Sequence, residues 1–279
     1  MTYRGMDKAA LDAAYDNGKA VGSERRDRYL ADWTRRTKEL AARSGALTGL
    51  AYGPAPRHRI DFYPCGSTGA PTLVFIHGGY WQFSDKENYG CVAEGPLAHG
   101  INVALVEYRL APAVRMDAIV AEVRRALDWL KVNLGRLDAA TDGIIVSGHS
   151  AGGHLTAMMI TELGVIGAMP ISGLFDLEPL RQSYINDKVG MDEDEARRNS
   201  PLLHIPSAAA PQAVAVGGNE LPELRRQSAE YHAALAARGL SSRLLQLDGH
   251  DHFSVLEELA SPAGQLTAAV RDLIDGAPR

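Results

Sequence analysis

Residues 144–153 read Ile-Ile-Val-Ser-Gly-His-Ser-Ala-Gly-Gly. A short apolar run ends in G-x-S-x-G, and a helical pattern starts at once. Few folds accommodate this. A buried strand must stop, the chain must turn within two residues, and a helix must leave from the turn. Gly148 and Gly152 provide the room for so crowded a turn, which pushes the Ser150 hydroxyl out at the carboxyl end of the strand. The helix amino terminus beneath it favours negative charge. A serine so placed is set up as a nucleophile, although a glycine-rich turn whose serine merely caps the helix has the same pattern.

The surrounding texture is that of an α/β domain. Short apolar runs at 58–63, 72–76, 101–107, 143–147, 165–170, 212–216 and 242–247 read as strands. Helical periods at 86–98, 115–134, 151–162, 222–238 and 262–275 lie between them. In 115–134, Ile119, Val123, Leu127, Leu130 and Leu134 fall on one helical face. Such alternation predicts a mostly parallel central sheet with helices on both faces. Residues 58–63 alternate Ile60 and Phe62 with Arg59 and Asp61, as an antiparallel edge strand would. Residues 172–210 read as an irregular insertion over the carboxyl edge of the sheet, where ligands bind in open α/β folds. Residues 7–44 are charged, alanine-rich and helical in pattern, with a break at Gly22-Ser23. The division expected is a helical cap over 1–45 and a catalytic domain over 46–279.

Composition narrows the function. Of 279 residues, 46% are hydrophobic and 23% charged, with a net charge of −5. No basic tract gathers on one segment, which argues against a nucleic-acid partner. Arg25, Arg26, Arg28, Arg35 and Arg36 are interleaved with Glu24, Asp27, Asp32 and Glu39, as on a solvated helix face. No apolar run reaches membrane-spanning length and the polar amino terminus is unlike a signal peptide. Two cysteines, Cys65 and Cys91, suit reduced thiols in the cytoplasm. Oligomeric state stays open, with a homodimer among the expectations.

Acyl transfer through a tetrahedral intermediate needs backbone N–H donors beside the reacting carbonyl. Phe75-Ile76-His77-Gly78-Gly79-Tyr80-Trp81 follows a strand and provides them: Gly79 and Tyr80 as donors, Gly78 as the turn. The Ala151 N–H, just after the nucleophile, is the other donor expected. Serine also needs a base. In the loop after the last strand, Leu247-Asp248-Gly249-His250-Asp251-His252-Phe253, both His250 and His252 qualify. A His-x-His pair could also bind zinc, but no third ligand accompanies it, and no metal is expected. His77 and His149 read as loop anchors, and His154 as packed within its helix. An acid must orient the base, and Glu220, after the strand 212–216, is the candidate. Glu223 is the runner-up, placed inside the next helix.

With these pieces in view, the chain resembles the α/β-hydrolase superfamily and, within it, the arylformamidase (kynurenine formamidase) family, near the hormone-sensitive-lipase-like esterases. The resemblance rests on His77-Gly78-Gly79-Tyr80-Trp81-Gln82, on Gly148–Leu155, on Ile171-Ser172-Gly173-Leu174-Phe175-Asp176-Leu177-Glu178-Pro179-Leu180, on Ala196–Pro201 and on Asp251-His252-Phe253. It runs from about residue 50 to the end. It implies a triad in the chain order Ser150, Glu220, His252, with His252 preferred over His250. It implies hydrolysis of small aryl formamides such as N-formylkynurenine, or of aryl esters, with no cofactor. Glu220 departs from the aspartate usual in the family. Tyr80 and Trp81 are candidate aromatic walls for the leaving group, or else core packing. The rival readings are a general carboxylesterase and a non-catalytic ligand-binding protein on the same fold; the latter would need a broken triad.

Overall fold

The computed structural model describes residues 3–276. Eight strands form one sheet: β1 Leu47–Ala51, β2 Arg59–Tyr63, β3 Ala70–Ile76, β4 Asn102–Val106, β5 Ala139–His149, β6 Val165–Ile171, β7 Gln212–Gly217 and β8 Ser242–Leu247. Their order is β1-β2-β4-β3-β5-β6-β7-β8. β1 and β2 pair antiparallel, as do β2 and β4; every other pair is parallel. This is the α/β-hydrolase architecture. After β3 the chain moves outward to β4, then returns past β3 to lay down β5 through β8. The order thus reverses between β3 and β5, and a crevice opens beyond their carboxyl ends. The loops carrying Gly79 and Ser150 leave from those two strand ends.

The helices are α1 Lys8–Ala14, α2 Asn17–Val21, α3 Ser23–Arg43, α4 Glu94–Leu97, α5 Met116–Asn133, α6 Ala151–Ala157, α7 Glu178–Arg181, α8 Asn186–Val189, α9 Glu193–Arg198, α10 Pro222–Ala237, α11 Glu257–Ala260 and α12 Gln265–Asp275. Alternate strand residues face opposite sides. Val74, Ile76, Ala104, Val106, Ile144 and Val146 pack against Ile119, Val123, Leu127 and Leu130 of α5. Leu73, Phe75, Val103, Leu105 and Ile145 pack against Leu266, Val270 and Leu273 of α12. The amino-terminal helices contribute to both faces: Leu11 and Tyr15 join the first cluster, Trp33 and Leu40 the second. No helix among the described residues is long and apolar enough to cross a membrane.

Three expectations are corrected. Residues 59–63 form an antiparallel strand, but not the edge. β1 lies outside it, and Asp61 is buried, its carboxylate taking the Lys86 ammonium at 2.9 Å and the Gly49 N–H at 2.7 Å. The helix expected over 86–98 is two 3-10 turns followed by the four-residue α4. Gly90 and Gly95 press against Thr37 and Leu259 there, too closely for a side chain, and Pro96 removes a backbone donor. The insertion at 172–210 carries the three short helices α7 to α9 instead of being irregular.

Candidate active site

Ser150 sits between β5 and α6 at φ 57°, ψ −116°, a conformation costly for a residue with a side chain. Several contacts impose it. The Ser150 N–H donates to Ile171 O at 2.8 Å, and Ser150 O accepts from the His154 N–H at 3.0 Å. A Cβ on Gly152 would lie 2.0 Å from Ile76 O. Only glycine lets α6 start so close to β3, and that proximity fixes the turn.

Glu220 stands three residues beyond the last of β7, Gly217, in the turn that leaves the strand end. It is wholly surrounded by partners. Oε2 lies 2.6 Å from His252 Nδ1, while Oε1 accepts from Ser172 Oγ at 2.5 Å and from the Gly217 N–H at 2.8 Å. The carboxylate is therefore oriented by two donors before it meets the imidazole. Ser172, itself in the left-handed region at φ 52°, went unnoticed in the sequence as a site residue. Its signal is position: it follows β6 directly, level with the ends of β5 and β7.

His252 reaches the site from the loop after β8. Asp251 shapes that loop, its Oδ1 accepting from the N–H groups of Phe253 and Ser254 at 2.9 and 2.8 Å. His149 Nε2 lies 2.7 Å from His252 O and bridges the serine turn to the histidine loop. Burial, with His252 beside it, holds His149 well below the usual histidine range, so a neutral ring makes that bridge. His250 points elsewhere. Its ring nitrogens meet Ser254 O at 3.0 Å and Glu258 Oε1 at 3.1 Å. With His252 Nδ1 facing Glu220, the two histidines do not converge on a common ion position. Glu223 is remote too, bound to Tyr15 and Arg226.

The loop after β3 is held as firmly. Gly79 adopts φ 107°, and a Cβ there would lie 2.1 Å from Phe83 O. Tyr80 and Trp81 follow at φ 47° and 59°. His77 anchors the strand end, with Nε2 2.9 Å from Glu107 and its ring stacked on Tyr108. Among the described residues, none accepts a hydrogen bond from the N–H of Gly79, Tyr80 or Ala151. Three backbone donors near one serine are left without a protein acceptor.

Ser150, His252, Gly79 and Tyr80 line one cavity of about 440 Å³. Phe83, Tyr89, Tyr184 and Phe253 give it aromatic surface, and Asp16, Asn17, Arg26 and Asp27 border it from the amino-terminal helices. Trp81 is corrected: it is fully buried, absent from the lining, and donates its indole N–H to His154 Nδ1 at 3.2 Å. Its apolar bulk is core packing. The acidic trio close enough to share a cation, Asp85, Glu87 and Glu107, already faces Arg57 and Lys86.

A family model described as BD-FAE matches residues 60–166. The kynurenine formamidase of Danio rerio is 34% identical over 253 residues, covering 85% of each chain. The protein of the same name from Salmo salar is 35% identical over 255 residues, covering 85% of this chain and 84% of its own. A crystal structure from Silicibacter sp. TM1040, provisionally assigned as a thioesterase, shares the fold with a TM-score of 0.83 at 31% identity, covering 94% of this chain and 98% of that one. The chain belongs to the kynurenine formamidase family.

Proposed function

We propose that this hydrolase cleaves small aryl formamides, N-formylkynurenine or a close analogue, through a formyl-enzyme on Ser150. The observation that carries this reading is the Glu220–His252 pair, 2.6 Å apart, with His252 and the strained Ser150 opening on one cavity. His252 takes the Ser150 hydroxyl proton as Oγ attacks the formyl carbon. The N–H groups of Gly79, Tyr80 and Ala151, shaped by Gly78, receive the oxyanion. His252 passes the proton to the departing aryl amine as the C–N bond breaks. Water then gives a proton to His252 and attacks the formyl ester; formate leaves and Ser150 regains its proton. Glu220 holds the imidazole tautomer and stabilises imidazolium throughout. Tyr80 and the other aromatic rings of the lining suit an aryl leaving group. A reducing compartment such as the cytoplasm suits Cys65 and Cys91, both free thiols.

Two measurements test this. A fluorophosphonate should label Ser150, and Ser150→Ala should lower kcat by at least ~10⁴. In a panel of formamides and esters, kcat/KM for N-formylkynurenine should exceed that for p-nitrophenyl acetate. The reverse order makes the protein a general carboxylesterase, and labelling at another serine removes the mechanism altogether.

A further inference from the structure

The Tyr80 phenol is tied to the amino-terminal segment by two buried hydrogen bonds. Its hydroxyl donates to Tyr15 O at 2.6 Å and accepts from Asn17 Nδ2 at 2.9 Å. The sequence separation is 65 and 63 residues, so neither bond is a local feature of the loop. All three residues are buried. Burial raises the Tyr80 pKa well above that of an ordinary phenol, so the hydroxyl keeps the proton it donates. Tyr15 is itself fixed, its own hydroxyl lying between Glu223 at 3.0 Å and Gln227 at 2.8 Å on α10. Asn17 begins α2 and lies on the cavity wall beside Tyr80.

The backbone these bonds hold is costly. Tyr80 and Trp81 are consecutive non-glycine residues in the left-handed region, a conformation that persists only where the surroundings enforce it. Trp81 is enforced by its own contacts: its indole donates to His154 and its carbonyl accepts from the Ala111 N–H at 2.8 Å. Tyr80 has no such backbone partner among the described residues. The turn itself closes on Gly79 O, which accepts from the N–H groups of Gln82 and Phe83 at 2.9 and 3.2 Å; the Tyr80 hydroxyl adds the tie that holds this turn to the amino-terminal segment.

We propose that Tyr15 and Asn17, at the junction of α1 and α2, are positioning residues for the oxyanion loop, acting through the Tyr80 hydroxyl to hold the Tyr80 N–H where a developing oxyanion would form. The amino-terminal segment then contributes to the rate of the chemical step as well as to the walls of the cavity. This rests on the oxyanion role given to Tyr80 above. A donor misplaced by about 1 Å costs up to about 10²-fold in rate, and a donor lost altogether 10²–10³-fold.

The test uses full-length Tyr80→Phe, which keeps the ring, full-length Asn17→Ala, and the double variant. Each single variant should lower kcat on an aryl formamide or aryl ester about 10- to 100-fold with KM within about threefold. An aryl trifluoromethyl ketone, whose serine adduct bears the oxyanion, should bind more weakly by the same factor. The double variant should be little worse than Tyr80→Phe, because Asn17 acts through the hydroxyl that Phe lacks. Amide hydrogen exchange at residues 79–82 should rise in every variant while α5 and α12 stay protected. A rise in KM with kcat unchanged would make Asn17 a substrate contact and overturn the proposal. So would unaltered exchange at 79–82. Exchange is read without turnover, so it judges the clasp even if the wild type proves inactive on every formamide and ester, an outcome that would defeat the hydrolytic reading separately.

Discussion

At the scale of single residues, the acid is the sharpest case. Glu220 was legible because a carboxylate three residues past a buried strand has one useful direction to face. Its partners were not legible: Ser172 lies 48 positions away and meets it only through the sheet. Glu220→Gln removes the charge that stabilises imidazolium and should cost up to about 10⁴ in kcat, with no greater loss than Ser150→Ala. Glu220→Asp shortens a carboxylate that now serves His252, Ser172 and Gly217 together. It cannot reach all three from an unmoved backbone. Activity within about 10²-fold of wild type is expected if the loop follows it inward. Glu223→Gln should barely change turnover, since its carboxylate faces Tyr15 and Arg226. A crippled Glu223→Gln beside an active Glu220→Gln would reverse the assignment. The histidines separate in the same assay. His252→Ala should match the loss in Ser150→Ala, while His250→Ala, which loses contacts to Ser254 and Glu258, should stay within about tenfold. Trp81 marks the limit of such reading: an aromatic residue after a Gly-Gly turn looks alike whether it faces a cavity or the core.

Among the elements, legibility followed burial. β3 through β7 are covered on both faces, so each is a nearly continuous apolar run. β1 is short and mostly exposed, with Gly49 at a register shift against β2, and its five residues carry no period. The broken helix over 86–98 was hidden because its glycines answer to tertiary neighbours, Thr37 and Leu259, that no local pattern reveals. α6 is the element whose energetics can be measured. His154 is fully buried in it, with Nε2 2.8 Å from Asn199 O and Nδ1 accepting from Trp81. Burial depresses its pKa to about 4, against about 6.5 in an unfolded chain. Between those values the unfolded chain binds a proton that the folded chain refuses. The contribution of His154 is thus complete above about pH 6.5 and is lost as the pH falls toward about 4, by about 3 kcal/mol in all. His149 shifts in the same direction. Urea denaturation at pH 7 and pH 5 should show a drop of about 2 kcal/mol from His154 alone. His154→Gln should lower stability at pH 7 yet reduce its dependence on pH. An unchanged slope in the variant would mean that this ring does not govern the acid limb.

Across the whole molecule, the amino-terminal helices connect what the sheet separates. Leu11 and Tyr15 are buried on the face that carries α5, and Trp33 and Leu40 on the face that carries α12. The chain between them crosses the carboxyl edge, where Asp16, Asn17, Gly18, Arg26, Asp27 and Leu30 border the cavity. Polar ties secure both ends. Asp12 accepts from the Tyr184 N–H at 2.6 Å, and Arg36 joins Glu94 and Glu257 at 2.6 and 2.7 Å. The Trp33 indole donates to Glu257 at 2.7 Å. The sequence predicted a cap from charge and alanine content, since so short an amphipathic stretch needs a surface to bury against. It gave no hint that the stretch straddles two faces, because that depends on which apolar residues of each helix find which side of the sheet. Burying each large side chain contributes about 1.5–3 kcal/mol, and a typical domain is stable by only about 5–15 kcal/mol. Removing residues 1–40 should therefore strip cover from both cores at once. The truncated protein should melt well below the full chain and aggregate on concentration. Where enough stays folded to assay, KM should rise because one wall of the cavity has gone. Calorimetry of the full chain should give a single transition, the segment unfolding with the sheet it spans. Two resolved transitions, or a truncated protein with unchanged melting temperature and kinetics, would make residues 1–40 an independent appendage and leave the crossing of the cavity mouth without consequence.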